Sequence, residues 1–352
     1  MRRLPKFFVG SVGDPARSIS GVSAPDAGTP DTAVFLGTSK ALKAGLTGPA
    51  GVVVVSPKNK AQAEAVLGGR TLLLSPNVEL AMAEVVQEFF LKTPYRPEPL
   101  KGVHPTAVVH ATAEIAPDAV IGPHAYIGRG VKIAAGALIG AGAVVEDGTA
   151  IGPSTVLHPN VYVGHSCEIG ARCEVNPNSV IGKEGFGYAH DEKGNHYRIP
   201  HQGRVVLEDD VHVGSCCVVD RGTFGESRLE RGAKLDNHVH IGHNSRLGQN
   251  ALVTAGFTMA GSSRVGRNFI AGGKTVVTGH IEVCDNVNLA ALSAVGKAID
   301  KPGQYGGNPL LPLQQFVKMK VGMTHLHELQ KQVKRIMKHL KLESTPEESA
   351  SE

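Results

Sequence analysis

Residues 133–163 read IAAGAL IGAGAV VEDGTA IGPSTV LHPNVY V, and cut into sixes they put Ile133, Ile139, Val145, Ile151, Leu157 and Val163 at one repeated position. The same register continues backward through Ile127, Ile121, Ile115, Val109 and Val103, and forward through Ile169, Val175 and Ile181, without an exception. With 41% of the chain hydrophobic, chance would give such a run about four times in a million. Four residues after each aliphatic position stands something small or β-branched, among them Ala137, Ala143, Thr149, Thr155, Cys167 and Cys173, and Gly, Pro, Asp or Asn fill many positions between. Six is no multiple of the helical repeat, but it is a multiple of the strand period of two. A short strand and a tight turn every six residues therefore return the same inward side chain on each side of a coil. Three sides close a triangular prism, with strands of successive coils about 4.8 Å apart.

The register breaks twice. A non-repeating insert, KEGFGYAHDEKGNHYRIPHQGR at residues 183–204, precedes Leu207, Val213 and Val219; an excess of four residues around Asp220-Arg221-Gly222-Thr223 precedes Leu229, after which the count runs to Val295. Inserts in a solenoid leave through its turns, where binding groups concentrate on a rigid scaffold.

On either side of the repeat the pattern differs. Residues 1–100 read as an α/β domain, with β-type runs at 51–55 and 71–74 and helical periodicity at 78–91, closed by the Pro-rich linker 93–99. The prism occupies 101–298. From 299 a Gly/Pro loop leads into an amphipathic helix over 313–342 and an acidic tail, STPEESASE, that reads as disordered.

Composition narrows the class. The net charge of +4 gives little reason to expect nucleic acid. Five cysteines, an odd number without CxxC spacing, fit reduced thiols acting as small hydrophobes rather than a disulfide framework. The opening Met1-Arg2-Arg3-Leu4-Pro5 has no apolar stretch of signal-peptide length and no run of 18 apolar residues follows, so a cytoplasmic protein is expected.

A hexad prism resembles the hexapeptide-repeat family of acyl and nucleotidyl transferases, and it is this resemblance that implies a left-handed parallel β-helix; the general preference for right-handed crossovers would argue otherwise. Within that family the motifs Ile181-Gly182-Lys183-Glu184-Gly185-Phe186-Gly187-Tyr188, Ile199-Pro200-His201-Gln202-Gly203-Arg204-Val205, Asp220-Arg221-Gly222, Leu235-Asp236-Asn237, Ile241-Gly242-His243-Asn244, Met259-Ala260-Gly261-Ser262 and Gly279-His280-Ile281-Glu282-Val283 resemble the N-acyltransferases of lipid A biosynthesis that act on UDP-3-O-(3-hydroxyacyl)glucosamine. The resemblance implies transfer of a 3-hydroxyacyl group from acyl carrier protein to the sugar 2-amine, a homotrimer, and no metal or organic cofactor. By it His243 is the general base, Asp236 the carboxylate orienting its ring, Gly261 the oxyanion amide and His280 an assisting histidine. Phe186, Gln202 and Asn237 would bind substrate. Phe35 would hold uracil, although the Asn and Tyr that accompany it in the family are missing from Phe35–Ala41. Lysines and an arginine of the last helix, from Lys318 to Lys341, are candidate contacts for acyl carrier protein, and Leu289–Ala294 would bound the acyl chain. Gly261 follows His243 by eighteen residues, one full coil, so the two are expected to stack.

Three other readings compete. His238, His240 and His243 could be a zinc set in a carbonic anhydrase-like prism, although 238 and 240 share a parity that 243 does not. The prism could be a scaffold without chemistry, which would leave both inserts without a purpose. Another hexapeptide acyltransferase, such as the O-acyltransferase of the same pathway, would lack the N-terminal domain.

Overall fold

The computed structural model describes residues 5–90, 102–306 and 313–340. The Pro-rich linker, Lys341, Leu342 and the acidic tail lie outside them. The chain forms two compact units, Met1–Glu98 and Pro99–Glu352.

The first unit is a five-stranded sheet of β1 (Gly10–Val12), β2 (Gly21–Val22), β3 (Thr32–Leu36), β4 (Val52–Val55) and β5 (Thr71–Leu74), in the order β1-β5-β4-β3-β2. Only β1 runs antiparallel to its neighbour. Both faces are covered, so β4 is apolar throughout: Val53 and Val55 enter one cluster with Leu36, Leu46 and Leu72, whereas Val52 and Val54 enter the other with Phe7, Phe8 and Val78. Three helices follow, α1 (Ser39–Gly45), α2 (Lys60–Glu64) and α3 (Val78–Val85); α1 and α3 start on side-chain caps, Thr38 Oγ1 accepting from the Ala41 amide and Asn77 Oδ1 from that of Leu80. Phe35 on β3 packs half-buried against the second cluster.

In the second unit strands of mostly two residues form three parallel sheets of ten, nine and eleven strands, each pairing with the strand one coil away, as Tyr126 and Ile127 do with Val144 and Val145. The repeated aliphatic residues point inward, and from Ile121 to Ile181 none is more than 3% exposed. Corner residues in this stretch are equally buried, and two polar ones are satisfied by the next coil: Thr149 Oγ1 donates to the Gly164 carbonyl at 2.9 Å and Thr155 Oγ1 to that of Gly170 at 2.7 Å. Cys173 and Cys217 do the same with the Glu208 and Asp236 carbonyls, both at 3.1 Å. Cys167 and Cys173 are buried corner residues, as their spacing predicts, and so is Cys217. Turn positions six residues apart adopt a left-handed backbone, among them Asn178, His238, Asn244, Ser262 and His280.

Both inserts leave the stacked coils in register, with one bulge between Ile181 and Lys183 at the root of the first. Ile181 pairs with Val219 across the first, and Leu207 with Leu229 across the second. The first carries a two-stranded hairpin, Tyr188–His190 against His196–Arg198. The second is the turn at 221–225. Their roots are bonded together, Gln202 and Gly203 donating to the Thr223 and Gly222 carbonyls at 2.9 and 3.0 Å. The last segment is two helices, α4 (Leu313–Thr324) and α5 (Leu326–His339), broken at His325, where the sequence pattern predicts one.

Burial raises the Cys167 and Cys173 thiols above the ordinary range and the Cys217 thiol to about 11, while Cys216 is exposed. Because the thiolate is the reactive form, alkylation of the native protein at neutral pH followed by peptide mass spectrometry is expected to label Cys216 first and to reach Cys167, Cys173 and Cys217 only on unfolding.

Candidate functional site

Three successive coils place chemistry at one corner of the prism: the first insert leaves there after Val180–Lys183, the second after Val218–Asp220, and His243 follows His240–Ile241. Asp220 and Arg221 anchor both roots. Asp220 is buried and ion-paired with Lys183 at 2.6 Å; the buried Arg221 donates from Nε to the Gly182 carbonyl at 2.7 Å and from Nη2 to that of His165 at 3.2 Å. A buried charge needs such partners.

His243 is half-buried. Its Nδ1 lies 3.1 Å from Asn244 Oδ1 and 3.4 Å from Thr223 Oγ1. The amide of Asn244 is itself oriented by backbone, since Oδ1 accepts from the Thr223 N–H at 2.9 Å and Nδ2 donates to the Phe224 carbonyl at 2.8 Å. An oxygen held this way can only accept, so Nδ1 carries the proton and Nε2 keeps its lone pair. Sequence reasoning assigns that orienting task to Asp236. Within one chain Asp236 does not reach His243: it sits at a different corner, where Oδ1 accepts from the Asn237 amide at 2.8 Å and Oδ2 from that of Ala255 at 3.0 Å.

Gly261 stacks on His243 as the coil length predicts, the Ser262 amide donating to the His243 carbonyl at 2.8 Å. A Cβ on Gly261 would stand 2.6 Å from His243 Nε2, so only glycine leaves the ring this seat. The Gly261 N–H has no acceptor among the described residues, which leaves it free to donate to a ligand beside the lone pair. His280 follows one coil further, exposed, its amide donating to the Gly261 carbonyl at 3.2 Å.

The first insert closes over the other side of the imidazole. His201, buried, meets His243 edge to face with ring centroids 5.0 Å apart. Phe186 stands 82% exposed beside the site, its ring 5.0 Å from that of Tyr188. Gln202 is exposed at the joined roots. Asn237 stays with Asp236, donating to its Oδ1 at 3.0 Å. The structure thus gathers His243, Gly261, His280, Phe186 and Gln202 at one edge and leaves Asp236 and Asn237 at another; Phe35 belongs to the first unit. Asn244, Thr223 and His201 escape the sequence reading as site residues, although Asn244 and His201 stand in motifs it singles out.

His238 fills a left-handed turn at the Asp236 corner, and His240 faces Asp220 at 3.8 Å. Among the described residues no three metal-ligating side chains converge. Within one chain His238, His240 and His243 do not converge on a common point.

Residues 103–185 match the family described as the GMPPB C-terminal domain. The UDP-3-O-acylglucosamine N-acyltransferase of Wolinella succinogenes is 44% identical over 147 residues, which are 42% of this chain and 46% of that protein. That of Methylococcus capsulatus is 40% identical over 162 residues, 46% of each chain. The chain spans about half the length of the curated relatives it matches. Among solved structures, the Arabidopsis UDP-N-acetylglucosamine acyltransferase superposes with a TM-score of 0.53 at 20% identity, over 71% of this chain and 86% of that one. This likeness concerns the fold alone, a left-handed parallel β-helix. Over less than half of its length the chain is similar in sequence to the UDP-3-O-acylglucosamine N-acyltransferases.

Proposed function

We propose that the protein is an N-acyltransferase that moves a 3-hydroxyacyl group from the thioester of acyl carrier protein to the 2-amine of UDP-3-O-(3-hydroxyacyl)glucosamine. The observation that carries this reading is the pairing of a bare His243 Nε2 with the free N–H of Gly261 at a corner flanked by both inserts. A base and an oxyanion donor side by side are what amide formation from a thioester needs. The amine attacks the thioester carbonyl, forming the C–N bond; Nε2 takes the amine proton; the oxyanion faces the Gly261 amide. Collapse breaks the C–S bond, and the leaving thiolate takes the proton from the imidazolium.

The same reading gives a place to the residues at the other corner. In a homotrimer with sites between adjacent prisms, Asp236 and Asn237 of one subunit face the His243 edge of the next, so that Asp236 acts across the interface. His280 assists, Phe186 and Gln202 contact the acceptor, and Phe35 contacts uracil. The exposed basic residues of α5, Lys331, Lys334, Arg335 and Lys338, suit an acidic carrier protein. The chemistry stays in the cytoplasm, where acyl carrier protein is; among the described residues no helix is long and apolar enough to cross a membrane.

N-acyl transfer to UDP-3-O-acylglucosamine by the purified protein tests the reading, and absence of transfer to this acceptor sinks it. Replacing His243 with Ala is expected to cut kcat by about 10²–10⁴-fold without loss of fold. Gly261→Ala, which sets a methyl against Nε2, is expected to lower kcat by at least about tenfold while the thermal midpoint stays near wild type. Hybrid trimers formed by co-expressing His243→Ala and Asp236→Ala subunits test the interface: random mixing leaves about a quarter of the sites with both residues intact, and activity should recover to that fraction. Hybrids no more active than the two single variants would place Asp236 outside the site.

A further inference from the structure

One polar atom next to the base has no use in the scheme above. His201 is 1% exposed; its Nδ1 lies 2.9 Å from the Ile199 carbonyl, and its Nε2 is buried with no hydrogen-bond partner among the described residues. A carbonyl only accepts, so Nδ1 bears the proton and the orphan atom is a lone pair. Buried acceptors without partners are rare, because each forfeits its hydration without compensation. It lies beside His243: a Cβ on Gly185 would stand 3.1 Å from His201 Nε2 and 2.9 Å from His243 Cβ. The rings meet at 72°. Around His243 stand the neutral Asn244 beside it in the chain, Thr223 on the second insert and Gly261 on the next coil; on the first insert Arg198 pairs with Glu184 and Lys183 with Asp220, both at 2.6 Å. Among the described residues no carboxylate is hydrogen-bonded to or ion-paired with the ring.

We propose that His201 is a positioning residue for His243: its ring is the wall that fixes the imidazole over Gly261, and its unshared Nε2 lone pair stabilises the positive charge that His243 acquires on taking the amine proton. The lone pair is idle while His243 is neutral and is engaged only when the imidazolium forms. This is preorganised electrostatic stabilisation, built from a neutral ring where a carboxylate is missing. The inference rests on the acyl-transfer reading for its consequence, though not for the contact itself.

The experiment combines kinetics with nitrogen NMR of the histidine rings in the full-length protein. His201→Phe keeps the wall and removes the lone pair; His201→Gln can return an acceptor to the Nε2 position. Expected are a kcat reduced about three- to tenfold in the Phe variant with KM unchanged and thermal midpoint retained, and recovery toward wild type in the Gln variant. In the wild-type protein the His201 Nε2 signal is expected to read as unprotonated and to move when His243 is titrated, a response absent from His243→Ala. Wild-type kcat in His201→Phe, equal losses in Phe and Gln, or a His201 signal indifferent to His243 each overturns the proposal. A protein that transfers no acyl group but shows the coupled signals would refute the acyl-transfer reading and leave the contact standing.

Discussion

Everything in the second unit depends on the hydrogen-bonded ladder that ties each strand to the one a coil away. The amides of Tyr126 and Gly128 donate to the carbonyls of Ala143 and Val145, and the same bonds recur along the prism. With the interior aliphatic residues in vertical register, a strand cannot slip by one residue without turning its buried side chain outward. Extra residues therefore have one exit, a corner, and both inserts use the same one. That coincidence creates the site. Two loops rooted in a rigid edge, bonded to each other and anchored by Asp220 and Arg221, enclose a histidine whose backbone belongs to the edge.

The histidine is controlled almost wholly by backbone, through one intermediary. Asn244 relays the fixed positions of the Thr223 N–H and the Phe224 carbonyl into a fixed tautomer of His243. An amide in this role settles which nitrogen is the base but brings no counter-charge. On the proposed acyl-transfer reading, stabilisation of the cation comes from elsewhere: the buried His201 ring in the same chain and Asp236 of a neighbouring subunit. On that reading, orientation and charge compensation, commonly combined in one aspartate, are divided among several groups.

The prism was legible because its period of six is a direct image of its geometry, and eighteen residues locate stacked partners with no further information. His243 over Gly261 is such a case. Contacts outside the ladder were not legible. His201 reaches His243 only because the first insert folds back on its own root, which no spacing encodes, and Asn244 and Thr223 meet through the second insert in the same way. Asp236 shows the converse limit: a motif seven residues from the histidine reads as its partner, yet seven residues in this fold are one side of a triangle. At α4 and α5 apolar periodicity continues through His325, where the helix breaks; the pattern reports a face, not continuity.

The two inserts also bear on how the chain acquires its fold. Elsewhere along the prism each new strand closes only one coil, so that structure can spread from any nucleus as a zipper does. At the first insert Ile181 must find Val219, and the loop to be closed is about twice as long, at an added entropic cost of about 0.7 kcal/mol. Zippering is therefore slowest at the corner that holds the chemistry. The stacked coils on either side can form early, and the edge carrying His243 receives its covering loops last.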